Sequence, residues 1–68
     1  MNRIEVGDVY KTHYGFVQIT KLPSAKYRKI KACVLGKYSH EITFRYAKLE
    51  KEVKLNEEEK LKVLLEEL

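Results

Sequence analysis

Apolar and polar residues alternate with a period of two along most of the chain. After the turn signal Gly7-Asp8, Val9, Tyr10 and Thr12 stand at strand spacing. "HYG" at 13–15 reads as a tight connection. In "FVQITKL", residues 16–22, Val17 and Ile19 fall on one face and Gln18 and Thr20 on the other. Pro23-Ser24-Ala25 ends that strand. Residues 27–35 predict a third strand, with Ile30, Ala32 and Val34 facing a core and Lys29, Lys31, Cys33 and Leu35 facing away. A turn follows at 36–39. "HEITFRY", 40–46, then sets His40, Ile42, Phe44 and Tyr46 against Glu41, Thr43 and Arg45. Residues 52–55 are short enough for a fifth strand.

The period changes at the C-terminal end. Leu61, Leu64, Leu65 and Leu68 recur at i, i+3, i+4, i+7, which is one stripe of a helix. Asn56 is a good N-cap, and Glu59 three residues later completes a capping-box pattern. Glu57, Glu58 and Glu59 suit the positive end of the helix dipole, and Glu58–Lys62 has the favourable i,i+4 orientation. A helix of this length does not hold alone in water, so its leucines are expected to dock on the strands or on a second chain.

Short strands joined by short turns, followed by a helix, predict a mostly β fold. The expected form is a small five-stranded SH3-like barrel over residues 1–55, capped by an amphipathic helix over 56–68 in the same domain. At 68 residues there is room for one domain only, and its core is marginal.

Charge adds a second division. Residues 1–55 carry 12 Lys/Arg against 5 Asp/Glu, a balance of +7, and residues 56–68 carry 2 Lys against 5 Glu, a balance of −3. A basic body favours polyanions, DNA or RNA among them, although a lysine-rich solvated surface gives the same count. The single Cys33 excludes an internal disulfide and suits a reducing, cytoplasmic setting. No stretch is apolar for long enough to span a bilayer, so no membrane partner is expected. His13, Cys33 and His40 match no metal-site spacing and have no catalytic partner nearby in sequence. A non-enzymatic module without a cofactor is expected, as a monomer or weak homodimer.

The candidate interface is cationic and aromatic. Lys29 and Lys31 share the outer face of the third strand, and Arg45 on the next strand extends the row. Lys26, Arg28 and Lys37 flank it, and Lys21 lies in the connection before it. Tyr27, between Lys26 and Arg28, and Tyr38, after Lys37, are placed to stack on a base while the cations hold phosphates. The same tyrosines also suit the rim of a small barrel.

The segments "VGDVYKTHYGFVQITKL", "YRKIKACVLG" and "ITFRYAKLEKEVKL" together resemble a short β-repeat of bacteriophage proteins. Those modules occur alone and beside homing-type nucleases. The matching positions are Gly7, Tyr10, Thr12, Tyr14, Gly15, Val17, Ile19, Lys31, Val34, Gly36, Leu49, Val53 and Lys54. The chain departs from the repeat where a glycine precedes the final Val-Lys, since "LEKEVK" has none. The resemblance implies a phage-encoded DNA-binding module acting in the host cytoplasm. Beside it stands a second reading, a protein-interaction module or a phage-encoded inhibitor of a host protein. The fate of the helix leucines separates the two: buried leucines leave the basic face as the site, and exposed ones favour protein association.

Overall fold

A computed structural model of the chain describes residues 4–23 and 29–67. Five strands, β1 (Val9–Thr12), β2 (Gly15–Lys21), β3 (Lys29–Val34), β4 (Glu41–Arg45) and β5 (Val53–Lys54), form one antiparallel sheet in the order β4-β3-β2-β1-β5. Among the described residues no ladder joins β4 to β5, so the sheet is open, with those two strands at its edges. A short helix α1 (Tyr46–Leu49) precedes β5, and α2 (Glu57–Glu67) ends the described chain.

The period-two alternation translates directly into the core. Tyr10, Val17, Ile19, Ile30, Ala32, Val34 and Phe44 pack together on one face of the sheet, joined by Ile4 and Leu49. Ile42 and Tyr46 lie partly buried against them. Register explains the match: Tyr10 stands opposite Val17, Val17 opposite Val34, Ile19 opposite Ala32, and Ile30 opposite Phe44. Val9 points to the other face and is nonetheless fully buried, as is most of Leu55, whose N–H donates to the Val9 carbonyl.

Turn chemistry fixes the first hairpin. His13 and Tyr14 form a two-residue loop between the paired Thr12 and Gly15. Thr12 Oγ1 donates to the Gly15 carbonyl at 3.0 Å and accepts the Tyr14 N–H at 3.1 Å. Gly15 has φ +98°, a region other residues enter only with strain. Before β1, the Asp8 carboxylate accepts the Glu5 N–H at 2.9 Å and meets Lys54 Nζ at 3.2 Å. The entry turn is thereby tied to β5.

Two elements differ from the sequence expectation. Strand spacing over 40–46 ends at Arg45, because Tyr46 enters α1. Tyr46 and Leu49 stand at i, i+3 and both lean on the core, Leu49 with no exposure, which helical spacing allows and strand spacing does not. The helix α2 begins as expected: Asn56 Oδ1 accepts the Glu59 N–H at 2.8 Å, and Glu59 Oε1 accepts the Asn56 N–H at 3.4 Å. An ion pair joins Lys60 to Glu57 at 3.4 Å, at i,i+3 spacing, one residue before the expected Glu58–Lys62 pair begins. The leucine stripe is the larger correction. Leu61 and Leu65 are 59% and 81% exposed, while Lys60, Val63 and Leu64 form the partly buried face; Leu68 lies outside the described residues. The shallow burial of Lys60, Val63 and Leu64, a face that takes in one leucine of the stripe and leaves Leu61 and Leu65 outside, replaces the deep docking of the whole stripe on the strands of the same chain.

Candidate nucleic-acid interface

The outer face of β2, β3 and β4 carries the predicted cations. Lys29 stands directly opposite Arg45, and Lys31 stands opposite Thr43 on one side and Lys21 on the other. All five residues are exposed. Lys21 joins this face through an irregularity: the register shifts between Ile19 and Lys21, so Lys21 pairs with Lys31 rather than pointing to the core. A bulge leaves no mark in an alternation pattern, which is why the sequence placed Lys21 in a connection. Thr20 Oγ1 donates to the Lys31 carbonyl at 3.2 Å and holds the bulge.

The electrostatics of the face are unbalanced. Two cross-strand pairs, Lys29–Arg45 and Lys21–Lys31, bring like charges face to face, an arrangement that destabilises a sheet. Among the described residues one carboxylate answers them: Glu41 Oε1 lies 3.8 Å from Lys31 Nζ, with both side chains more than half exposed. An ion pair so open to water contributes little. Half-buried Cys33, opposite both Gln18 and Glu41, ends the row; its Sγ lies 3.6 Å from the Val34 carbonyl.

The remaining predicted residues divide. Lys37 and Tyr38 sit in the turn after β3, with Lys37 Nζ 5.8 Å from the centre of the Tyr38 ring and that ring 81% exposed. Lys29 marks the opposite end of β3, and a strand advances about 3.3 Å per residue, so the turn stands roughly 15 Å or more from the Lys29–Arg45 pair. One ligand reaches both only if it is extended. Lys26, Tyr27 and Arg28 lie outside the described residues.

A further feature has no counterpart in the sequence reading. A groove of about 330 Å³ runs beside β4, lined by Tyr14, Ile42, Thr43, Phe44, Arg45 and Lys48. Tyr14, half exposed on the first hairpin, meets Phe44 edge-on at 6.0 Å and lies 3.9 Å from the His13 ring. Lys48 is carried by α1, the element that alternation missed, and so its place beside Arg45 was not legible. His40 Nδ1 lies 2.9 Å from the Tyr38 carbonyl, within the turn. Among the described residues no three His, Cys, Asp or Glu side chains gather as a metal site, and no helix is long and apolar enough to cross a membrane. No protein-family model matches the chain, and neither a curated protein nor a solved structure does.

Proposed function

We propose that the protein is a small non-enzymatic module that binds nucleic acid through the outer face of β2–β4. The observation that carries this reading is the pair of like-charged cross-strand contacts, Lys29–Arg45 and Lys21–Lys31. A sheet that sets cations face to face loses stability, and a row of phosphates compensates them. Thr43 and Thr20 supply neutral hydrogen-bonding groups on the same face. Phosphate contacts at this loose spacing position a duplex without reading its bases. The order β4-β3-β2-β1-β5, with a short helix before β5, supports an SH3-like barrel as the finer description of the fold. The phage-repeat resemblance supports a DNA-binding module working in the cytoplasm of an infected host.

The test is a binding titration to duplex DNA, single-stranded DNA and RNA over a salt series. Four cations on the face give an expected log–log salt slope of about −3 to −4 on duplex. Replacing Lys29, Lys31 and Arg45 together with alanine flattens that slope and weakens binding to all sequences equally. No binding at low salt to any of the three removes this reading. A second reading, association with a protein through α2, is favoured by the exposure of Leu61 and Leu65. Leu61→Glu with Leu65→Glu abolishes such association and leaves the salt slope unchanged.

A further inference from the structure

The open edge of β4 is built to match itself. Its sequence is Glu41-Ile42-Thr43-Phe44-Arg45, and among the described residues it pairs with β3 on one side only. The Val34 N–H donates to the His40 carbonyl at 2.8 Å, which fixes the phase of that ladder. In an antiparallel ladder hydrogen-bonded pairs alternate with non-bonded ones. Ala32–Ile42 and Ile30–Phe44 are therefore bonded pairs, and Cys33–Glu41, Lys31–Thr43 and Lys29–Arg45 are not. The backbone N–H and carbonyl of Thr43, at the centre of the strand, consequently point to the open edge. Among the described residues nothing bonds them.

The groove beside this strand has the same meaning. Residues 42–45 line it consecutively, and consecutive residues of a strand face opposite sides. A cavity lined by four in a row has the strand's edge itself as a wall. Tyr14 and Phe44 give it an apolar side, and among the described residues its charged lining groups are Arg45 and Lys48.

We propose that this edge is the interface of a two-fold homodimer, in which β4 pairs antiparallel with β4 of a second copy about an axis at Thr43. A two-fold interface requires that each contact be returned by its mirror contact. Centring on Thr43 satisfies this at every position. The two Thr43 residues exchange their N–H and carbonyl groups across the axis. Glu41 comes opposite the partner's Arg45, and Arg45 opposite the partner's Glu41. Ile42 comes opposite the partner's Phe44 on the core side, where the groove lies. The pairing also sets a carboxylate next to the repelling Lys29–Arg45 pair, which has none directly opposite it in the single chain. No other centre on this strand brings its two charges into opposition. The small contact implies a weak dimer that forms at high protein concentration.

The experiment is sedimentation equilibrium of the full chain without nucleic acid, from micromolar to about 1 mM, on the wild type, Glu41→Arg, Arg45→Glu and a one-to-one mixture of the two variants. The wild type dimerises. Each single variant sets like charges across the axis, and its dissociation constant rises at least about tenfold. The mixture dimerises again, because each variant then meets the opposite charge. That rescue also guards against misfolding, since two variants that merely fail to fold do not restore each other. Amide exchange gives an independent readout: the Thr43 N–H becomes protected as concentration rises. A wild type monomeric at 1 mM, a mixture that does not associate, or a dimer abolished by Leu61→Glu with Leu65→Glu instead overturns the proposal. Protection of Thr43 only when oligonucleotide or an unrelated acidic peptide is added also overturns it, in favour of that ligand.

Discussion

Tyr10 illustrates how a single residue can carry both fold and pH behaviour. Its ring is 1% exposed in the centre of the core, and its hydroxyl finds no hydrogen-bond partner among the described residues. Burial pushes its pKa up to about 12, and the charges of Asp8, Tyr46 and Glu50 act in the same direction. The folded state thus favours the neutral phenol. Below pH 10 both folded and unfolded chains hold the proton, and the full stability is present. Above pH 10 the unfolded chain loses it first, so stability falls as pH rises through about 12. The full loss above pH 12 is roughly 2–3 kcal/mol, from a shift of about two units, and about half of it, roughly 1.3 kcal/mol, falls between pH 9 and pH 11. Urea unfolding at pH 9 and at pH 11 measures it, with Tyr10→Phe as the control: the variant lacks this component, and at pH 7 it is as stable as the wild type or more so by up to about 1 kcal/mol. Gly15 makes a different case. A Cβ there meets no atom within 4 Å, so Gly15→Ala costs only the strain of φ +98°, roughly 1–2 kcal/mol by thermal or urea unfolding.

At the scale of elements, α2 separates local from tertiary stabilisation. Its N-terminus is satisfied locally by the reciprocal Asn56–Glu59 bonds, and Asn56→Ala is expected to cost about 1 kcal/mol. Its leucines behave unlike those of the body. Leu65→Ala, at a residue 81% exposed, is expected to change stability by under about 0.5 kcal/mol, whereas Leu49→Ala, fully buried, costs roughly 2–5 kcal/mol. A loss at Leu65 comparable to that at Leu49 would show that α2 docks through the stripe after all. The strand β3 divides its labour cleanly: Ile30, Ala32 and Val34 build the core while Lys29 and Lys31 face outward.

For the molecule as a whole, the proposed nucleic-acid binding sets the stability of the basic face against its affinity. Lys29→Glu converts the repelling pair with Arg45 into an attractive one, so the unbound fold gains several tenths of a kcal/mol while nucleic-acid affinity falls. A melting curve and a titration on the same sample check the opposite signs. If Lys29→Glu instead destabilises the fold, the side chain has a structural task that its exposure does not reveal. The sequence alone determined the strand faces, the first hairpin, the capped start of α2 and the cationic character of β3. Those features follow from local rules: a strand alternates at every residue, a two-residue turn needs its glycine, and a cap closes within four residues. What the tertiary structure decided is which partners meet. The bulge that turns Lys21 toward Lys31 depends on the pairing of β2 with β3, and α1 exists because Leu49 completes a core assembled from distant strands. The exposure of Leu61 and Leu65 likewise depends on which side of α2 the body leaves open. A hydrophobic period states that a stripe exists, but only the packed chain determines what lies across from it, because burial is a property of two surfaces and the sequence of α2 describes one.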